Sequence, residues 1–162
     1  MSQFVHTIAE VYAVQLERHR NRPFLRAVMA ACALVAMTGG GVSLRDRARV
    51  DQVLETLEAL KVFDPHEGVE LFNDYVAALR ADPEAGRRAV LDAVGQEVAK
   101  EPEKAGLLGR ICQAVSASEG RLGPAQGQAL ADLCRCIGVS PGFCGLGDDG
   151  EVRVDPGTPE TG

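Results

Sequence analysis

The sequence predicts an all-helical domain, and three observations support this fold class. Apolar residues recur at three- and four-residue spacing in seven segments, which is the period of a helix buried on one face. Between these segments stand Pro, Gly and acidic residues typical of turns and helix starts, and no segment alternates like a strand. Aromatic residues are only 4% of the chain and tryptophan is absent, so the core must be mainly Ala, Leu and Val.

The most informative stretch is the run FLRAVMAACALVAMTGGGVSLRDRARVDQVLETLEAL. Its first half carries apolar residues interleaved with alanines, which predicts a central helix buried on most of its surface. Gly39, Gly40 and Gly41 end that helix, because consecutive glycines disfavour helix and readily adopt positive φ. Ser43 then predicts an N-cap, with Asp46 at the third helical position of a capping box. A turn this short makes the two helices a hairpin.

Five further helices are predicted around this hairpin. An N-terminal helix ends in a basic run, which suits a helix C-terminus, and Pro23 separates it from the hairpin. The next two helices each begin with an acidic N-cap followed by proline, at Asp64 and at Asp82. The last two helices follow Pro102 and begin at Pro124, which completes a set of seven.

The chain divides into a helical domain, predicted over residues 1–140, and a flexible tail, predicted over residues 141–162. A domain of this length can bury a core without disulfide staples. The tail PGFCGLGDDGEVRVDPGTPETG has too little apolar surface to offset the entropy of ordering. It carries five acidic residues against one arginine, so it holds most of the net charge of −6.

Charge and hydropathy exclude several classes of function. The acidic balance of both parts argues against a nucleic-acid partner. No run of eighteen charge-free apolar residues is present, so we expect no direct membrane insertion. The N-terminus lacks the basic region of a signal peptide. We therefore expect a cytoplasmic protein, a monomer or homodimer, whose five cysteines are reduced thiols.

An offset of 80 residues relates the two ends of the helical region. This offset aligns Cys32 with Cys112 and places Gly40 of the first turn on Gly120 of a second turn. Five further pairs of apolar residues also match. The shared turn position is the better evidence, because a break in helical period falls at the same register twice. We therefore expect two hairpins packed core to core about a pseudo-twofold axis.

The run AVMAACALVAMTGGGVSLRDRARVDQVLETLEALKVFD resembles the first block of the TerB-like family of bacterial tellurite-resistance proteins. It is also similar to the N-terminal domain of some membrane-anchored DnaJ-like co-chaperones. The family is all-helical, and its two hairpin turns carry Ala-Asp-Gly-x-Val/Ile-Ser-x-x-Glu. The resemblance extends to about Pro141 and implies a non-enzymatic binding or adaptor role in tellurite or oxyanion resistance. Its implied partners are proteins, membrane-associated stress proteins among them.

The chain differs from the family motif at the acidic positions. The family aspartate falls on Gly39 in the first turn and on Glu119 in the second. The family glutamate falls on Asp46 and on Gln126, and Gly123 stands where the second serine would be. Each turn therefore keeps one carboxylate of two.

The resemblance implies divalent-cation binding at these turns, with Ca²⁺ or Mg²⁺ as the ion. Asp46, Glu119 and Asp51 are the candidate ligands, together with backbone carbonyls of the glycine turn. A hard cation such as Ca²⁺ takes about six to eight oxygens, so a site with few charged oxygens should be weak. In the alternative interpretation Asp46 only caps its helix and Glu119 is a solvated turn residue. The protein is then an interaction scaffold that has lost metal binding.

Cysteine chemistry is a further alternative, because Cys134 and Cys136 suggest a redox or soft-metal protein. Residues two apart on a helix face nearly opposite directions, so this pair cannot share one ion. Cys134 is in the apolar register and is predicted to be core. The three histidines are scattered, and neither a Gly-x-Ser-x-Gly motif nor a phosphate-binding loop is present, so we do not expect an enzyme.

Overall fold

The computed structural model describes residues 3–38, 40–56, 60, 63–101, 103–117 and 122–144, with the backbone alone for residues 3–20 and 143–144. Over these ranges the chain forms six α-helices and one short 3-10 helix, without a strand, which confirms the all-helical prediction. The helices are α1 (Gln3–Thr38), α2 (Leu44–Thr56), α3 (Pro65–Ala81), α4 (Pro83–Lys100), α5 (Lys104–Ser116) and α6 (Pro124–Cys136), and the 3-10 helix is Pro141–Cys144.

Helix α1 is continuous through Pro23, so the two helices predicted on either side of it are one. An internal proline lacks an N–H donor and destabilises a helix by about 3 kcal/mol. Tertiary packing offsets this here, because every residue from 24 to 36 except Arg26 is buried. The described part of the chain therefore has six α-helices where the sequence predicts about seven.

The second half of α1 is the centre of the molecule, as its apolar pattern predicted. Helix α1 packs against α3, α4, α5 and α6, whereas α2 packs on α3 and α5. Leu25 and Met29 of α1 are fully buried in one cluster with Phe72 of α3 and Leu130 of α6. The core is aliphatic apart from a few phenylalanines, in agreement with the composition.

The two acidic helix starts form as predicted. The Asp64 carboxylate accepts a hydrogen bond of 3.0 Å from the His66 backbone N–H, and Pro65 occupies the first helical position of α3. The Asp82 carboxylate accepts one of 3.2 Å from the Ala85 N–H. Asp82 also donates its own N–H to a carbonyl in the last turn of α3, so one residue ends α3 and begins α4.

The predicted repeat is present as two open hairpins, whose two helices pack less on each other than on other helices. One is formed by the second half of α1 with α2, and the other by α5 with α6. The Sγ atoms of Cys32 and Cys112 lie 3.9 Å apart, and both residues are fully buried. Equivalent residues of two related units contact each other only on a twofold axis, so this contact locates the pseudo-twofold axis between α1 and α5.

The packed helices continue past residue 140, where the sequence placed the start of the tail. Pro141–Cys144 form a single 3-10 turn that packs on α5 and α6, and Pro141 is buried. The predicted flexible tail otherwise falls on residues 145–162, which lie outside the described residues.

Candidate functional site

The first hairpin turn is held by the capping box that the sequence predicts. The Ser43 N–H and hydroxyl both donate to Asp46 Oδ2, at 2.9 Å and 3.0 Å. The Asp46 N–H donates in return to Ser43 Oγ at 3.2 Å. Gly40 and Gly41 precede the box with φ of 101° and 121°, the left-handed region that favours glycine. Gly40, Gly41, Ser43 and Asp46 therefore each have a role in ending α1 or starting α2.

The candidate cation ligands are not brought together within the described residues. One carboxylate oxygen of Asp46 already accepts two hydrogen bonds from Ser43. Asp51 lies five residues further along α2, which is a rotation of about 140° around the helix. Across the described ranges no group of three or more His, Cys, Asp or Glu side chains is placed to hold a metal ion. Gly39, Glu119 and Gly120 lie outside the described residues, so the cation site remains a prediction.

The second hairpin turn keeps only half of the box. The Gly123 N–H donates to Gln126 Oε1 at 3.4 Å. Gly123 has no side chain, so it cannot return a bond to the Gln126 N–H. These two residues stand 80 positions after Ser43 and Asp46, and the second turn is a weakened copy of the first.

The cysteines separate as the helical spacing predicted. Cys134 is buried and Cys136 is exposed, so the two thiols face different environments. Cys136 Sγ lies 3.9 Å from Nη2 of Arg87 on α4. Cys32 and Cys112 are buried as well. Cys134 and Cys136 therefore do not form a common site.

An open groove, which the sequence analysis missed, runs between α2 and α5 with a volume of about 670 Å³. Helix α2 supplies one wall at helical spacing, namely Arg49, Gln52, Val53 and Thr56. Helix α5 supplies the other wall with the same spacing, namely Leu107, Arg110, Ile111 and Ala114. Val53 and Ile111 are buried and form an apolar floor, whereas Gln52, Thr56, Arg110 and Ala114 are exposed.

The charged side chains that line the groove are basic. Its two charged lining residues are Arg49 and Arg110, and its lining contains no carboxylate among the described residues. Arg49 donates through Nη1 to the carbonyls of Val115, at 3.4 Å, and of Ala117, so it caps the C-terminal end of α5. This anchoring fixes a guanidinium at the edge of an apolar floor. An arrangement of this kind can bind a ligand that is apolar on one side and acidic at its margin.

Comparison with known proteins identifies the family. The family model for tellurite resistance protein TerB matches residues 25–144, well over half of the chain. The chain belongs to the TerB family. A curated relative, "Tellurium resistance protein TerB" from Alcaligenes sp., is 32% identical over 97 residues, which cover 60% of this chain and 79% of that protein. No solved structure gives a significant match.

The TerB match covers both hairpins and the two helices between them. It begins inside α1, just after Pro23, and ends with the 3-10 turn. The groove between α2 and α5 therefore lies wholly within the TerB domain. No helix in the described part of the chain is long and apolar enough to cross a membrane.

Proposed function

We propose that this TerB-family chain is a non-enzymatic adaptor domain that acts in the cytoplasm, in the bacterial response to tellurite or related oxyanions. The groove between α2 and α5 is the observation that carries this proposal. It combines a buried apolar floor with exposed arginine and amide groups at its rim. Recognition surfaces have the same division, with an apolar centre, a polar rim and frequent arginine. The link to tellurite rests on the family and on the name of the relative.

The binding role is favoured over cation sensing because of what Asp46 already does. Its carboxylate is part of the reciprocal box with Ser43 that starts α2. Both bonds that the carboxylate accepts from Ser43 end on Oδ2, so a cation that took this oxygen would compete with them. The two family carboxylates replaced by Gly39 and Gln126 leave fewer charged oxygens to offset that loss. A scaffold that keeps the turns and no longer uses them for metal is consistent with this geometry.

Growth on tellurite tests the proposal. The full chain would be expressed in a tellurite-sensitive bacterium together with the rest of a tellurite-resistance gene set that lacks its own TerB protein. Ala114→Trp fills the groove with a bulky side chain, and Arg110→Glu reverses the charge at its rim. Both residues are exposed, so the fold should tolerate the changes. We expect the wild-type chain to restore growth and both variants to lose most of that effect.

Two matched variants separate the groove from the rest of the surface. Ala89→Trp places the same bulk on the exposed side of α4, and Arg45→Glu makes the same charge change on α2 outside the groove lining. Both should grow like wild type. Equal growth of all four variants would contradict a role for the groove, and no rescue by the wild-type chain would contradict the tellurite assignment.

A further inference from the structure

The pseudo-twofold axis gives the groove a structural counterpart on the other side of the molecule. The offset of 80 residues maps α6 on α2 and α5 on the second half of α1. The groove between α2 and α5 therefore corresponds to the contact between α6 and α1. Arg110 and Ala114 of the groove correspond to Ala30 and Leu34 of α1. The counterpart shows how this fold fills such a groove.

At the counterpart the α1 surface is covered. Ala30 is fully buried and Leu34 is 9% exposed, whereas Arg110 and Ala114 are exposed. Helix α4 packs along α1 rather than along α6, and two of its residues lie close to the C-terminal end of α6. Arg87 Nη2 is 3.9 Å from Cys136 Sγ, and Gly95 lies beside Ile137.

Cys136 stands 80 residues after Thr56, which lines the groove. By this offset, Thr56 is the position on α2 that corresponds to the contact of Cys136 with Arg87 of α4. The α1 face at Ala30 and Leu34 is thus buried by packed helices of the chain, whereas the equivalent α5 face at Arg110 and Ala114 is open.

We propose that the groove between α2 and α5 binds an amphipathic α-helix of a protein partner, with acidic residues at the margin of its apolar face. This inference rests on the proposed adaptor function and names the kind of segment that the adaptor recognises. Both walls present residues at helical spacing, so the groove runs along two helices. The α5 wall from Leu107 to Ala117 is about 15 Å long, which suits three turns of a helix. Helix-in-groove binding uses the same spacing of apolar anchors.

The charge of the groove determines which kind of helix it favours. The groove presents Arg49 and Arg110 where the counterpart presents Ala129 and Ala30. Basic residues placed against these arginines would be repelled, and α4 of a second copy, with three acidic and three basic residues, lacks the net negative charge that the groove favours. Carboxylates at those places would face the arginines instead.

A peptide derived from α4 is a defined probe for this groove. It copies Pro83–Lys100 with Arg87→Glu and Arg88→Glu, and it carries a fluorophore at its N-terminus. Binding to the full chain would be measured by fluorescence anisotropy at low salt. Backbone amide shifts of the ¹⁵N-labelled chain would locate the contact. We expect saturable binding, with shifts concentrated on α2 and α5.

Three comparisons test the charge and the shape. The unmodified α4 peptide should bind about tenfold more weakly than the acidic peptide. Arg110→Glu in the chain should lower the affinity for the acidic peptide by a similar factor. Arg45→Glu serves as the matched control and should leave affinity unchanged. Ala114→Trp should abolish the groove shifts. Each variant is accepted only if its melting temperature stays near that of wild type.

Several results would overturn the inference. If millimolar peptide shifts no amide signals of the groove, or shifts signals on another face, the proposal that the groove binds a helix is contradicted. Groove shifts produced equally by inorganic phosphate would reduce the site to one for small anions. If the peptide does not bind while Ala114→Trp and Arg110→Glu still block growth on tellurite, the adaptor proposal stands. The proposal that the groove binds a helix is then wrong. If the peptide binds and those variants grow normally, the groove binds helices without the proposed function.

Discussion

The thiols of Cys32 and Cys112 touch in the core, with 3.9 Å between the two sulfur atoms, although the residues are 80 positions apart in the chain. The same offset relates the two hairpin turns and the two walls of the groove to their counterparts. One contact therefore fixes the pseudo-symmetry on which the functional argument depends. Each half supplies one hairpin, and α3 and α4 break the symmetry because both pack on α1.

The central thiol contact should be sensitive to polarity. Cys32→Ser replaces a fully buried thiol by a more polar hydroxyl, and we expect the free energy of unfolding to fall by about 1–3 kcal/mol. Cys136→Ser makes the same change at an exposed position and should alter stability by less than about 0.5 kcal/mol. Urea unfolding of both variants measures the difference. Equal effects of the two substitutions would show that the core around the thiol contact is not tightly packed.

The first capping box should stabilise the fold more than the second. Asp46→Ala removes the two hydrogen bonds that the Asp46 carboxylate accepts from Ser43, keeps the bond from the Asp46 N–H to Ser43 Oγ, and should destabilise the domain by about 1 kcal/mol. Gln126→Ala removes a single hydrogen bond of 3.4 Å and should have a smaller effect. Thermal unfolding of the two variants gives the order, and a larger loss for Gln126→Ala would contradict it.

Divalent cations should leave the melting temperature of the chelator-stripped chain unchanged. A ligand of the native state must raise the melting temperature, and Asp46 is already committed to Ser43. The measurement is unfolding with and without millimolar Ca²⁺ or Mg²⁺, alongside Asp46→Ala, Asp51→Ala and Glu119→Ala. A rise that these substitutions remove would restore the cation site implied by the family.

A buried ion pair joins α4 to α5. Lys104 Nζ lies 2.6 Å from Glu97 Oε1 and 5.2 Å from the centre of the Phe24 ring, and the Glu97 side chain is only 5% exposed. Lys104→Met leaves this carboxylate without its partner and should destabilise the domain by about 3 kcal/mol. Glu101→Gln, at an exposed carboxylate 3.6 Å from the same amine, should change stability by under about 1 kcal/mol.

The double variant tests the origin of the Lys104 effect. Glu97→Leu combined with Lys104→Met removes both charges, so most of the lost stability should return. Chemical denaturation of the single and double variants forms a thermodynamic cycle. A double variant no more stable than Lys104→Met would show that packing of the lysine stem, rather than the unpaired charge, causes the loss.

Tyr75 should make stability depend on pH in the alkaline range. Burial raises the pKa of Tyr75 above its ordinary value of 10.0, and the charge of Arg26 opposes part of this shift. The folded state therefore favours the neutral phenol. Its contribution is present below pH 10 and is lost as the pH rises above 10. Tyr75→Phe should flatten this alkaline decline relative to wild type, as measured by unfolding at pH 8 to 11.

Local features of this fold could be predicted because neighbouring residues determine them. Ser43 and Asp46 form their box within one turn, and Asp64 and Asp82 start their helices in the same way. The continuity of α1 through Pro23 could not be predicted, since it depends on burial of the following residues by other helices. A local rule for proline fails where tertiary packing offsets its cost.

The groove was missed for a related reason. Whether a helix face is open depends on where α3 and α4 settle, and a sequence pattern does not specify that placement. A signal was nevertheless present in the repeat. Arg110 aligns with Ala30, so one half carries a charge where the other carries a small apolar residue. A charged residue that aligns with a small apolar residue in the other half indicates a helix face that is buried in one half and exposed in the other.

The central claim, that the groove between α2 and α5 is the working surface, is tested most directly by site-specific photo-crosslinking in tellurite-exposed bacteria. A benzophenone amino acid would replace Ala114 in the groove or Ala89 on the outer side of α4, both exposed alanines. We predict a protein adduct from position 114 that Arg110→Glu removes, and no such adduct from position 89. Equal labelling at both positions, or an adduct at 114 that is indifferent to Arg110→Glu, would contradict the account.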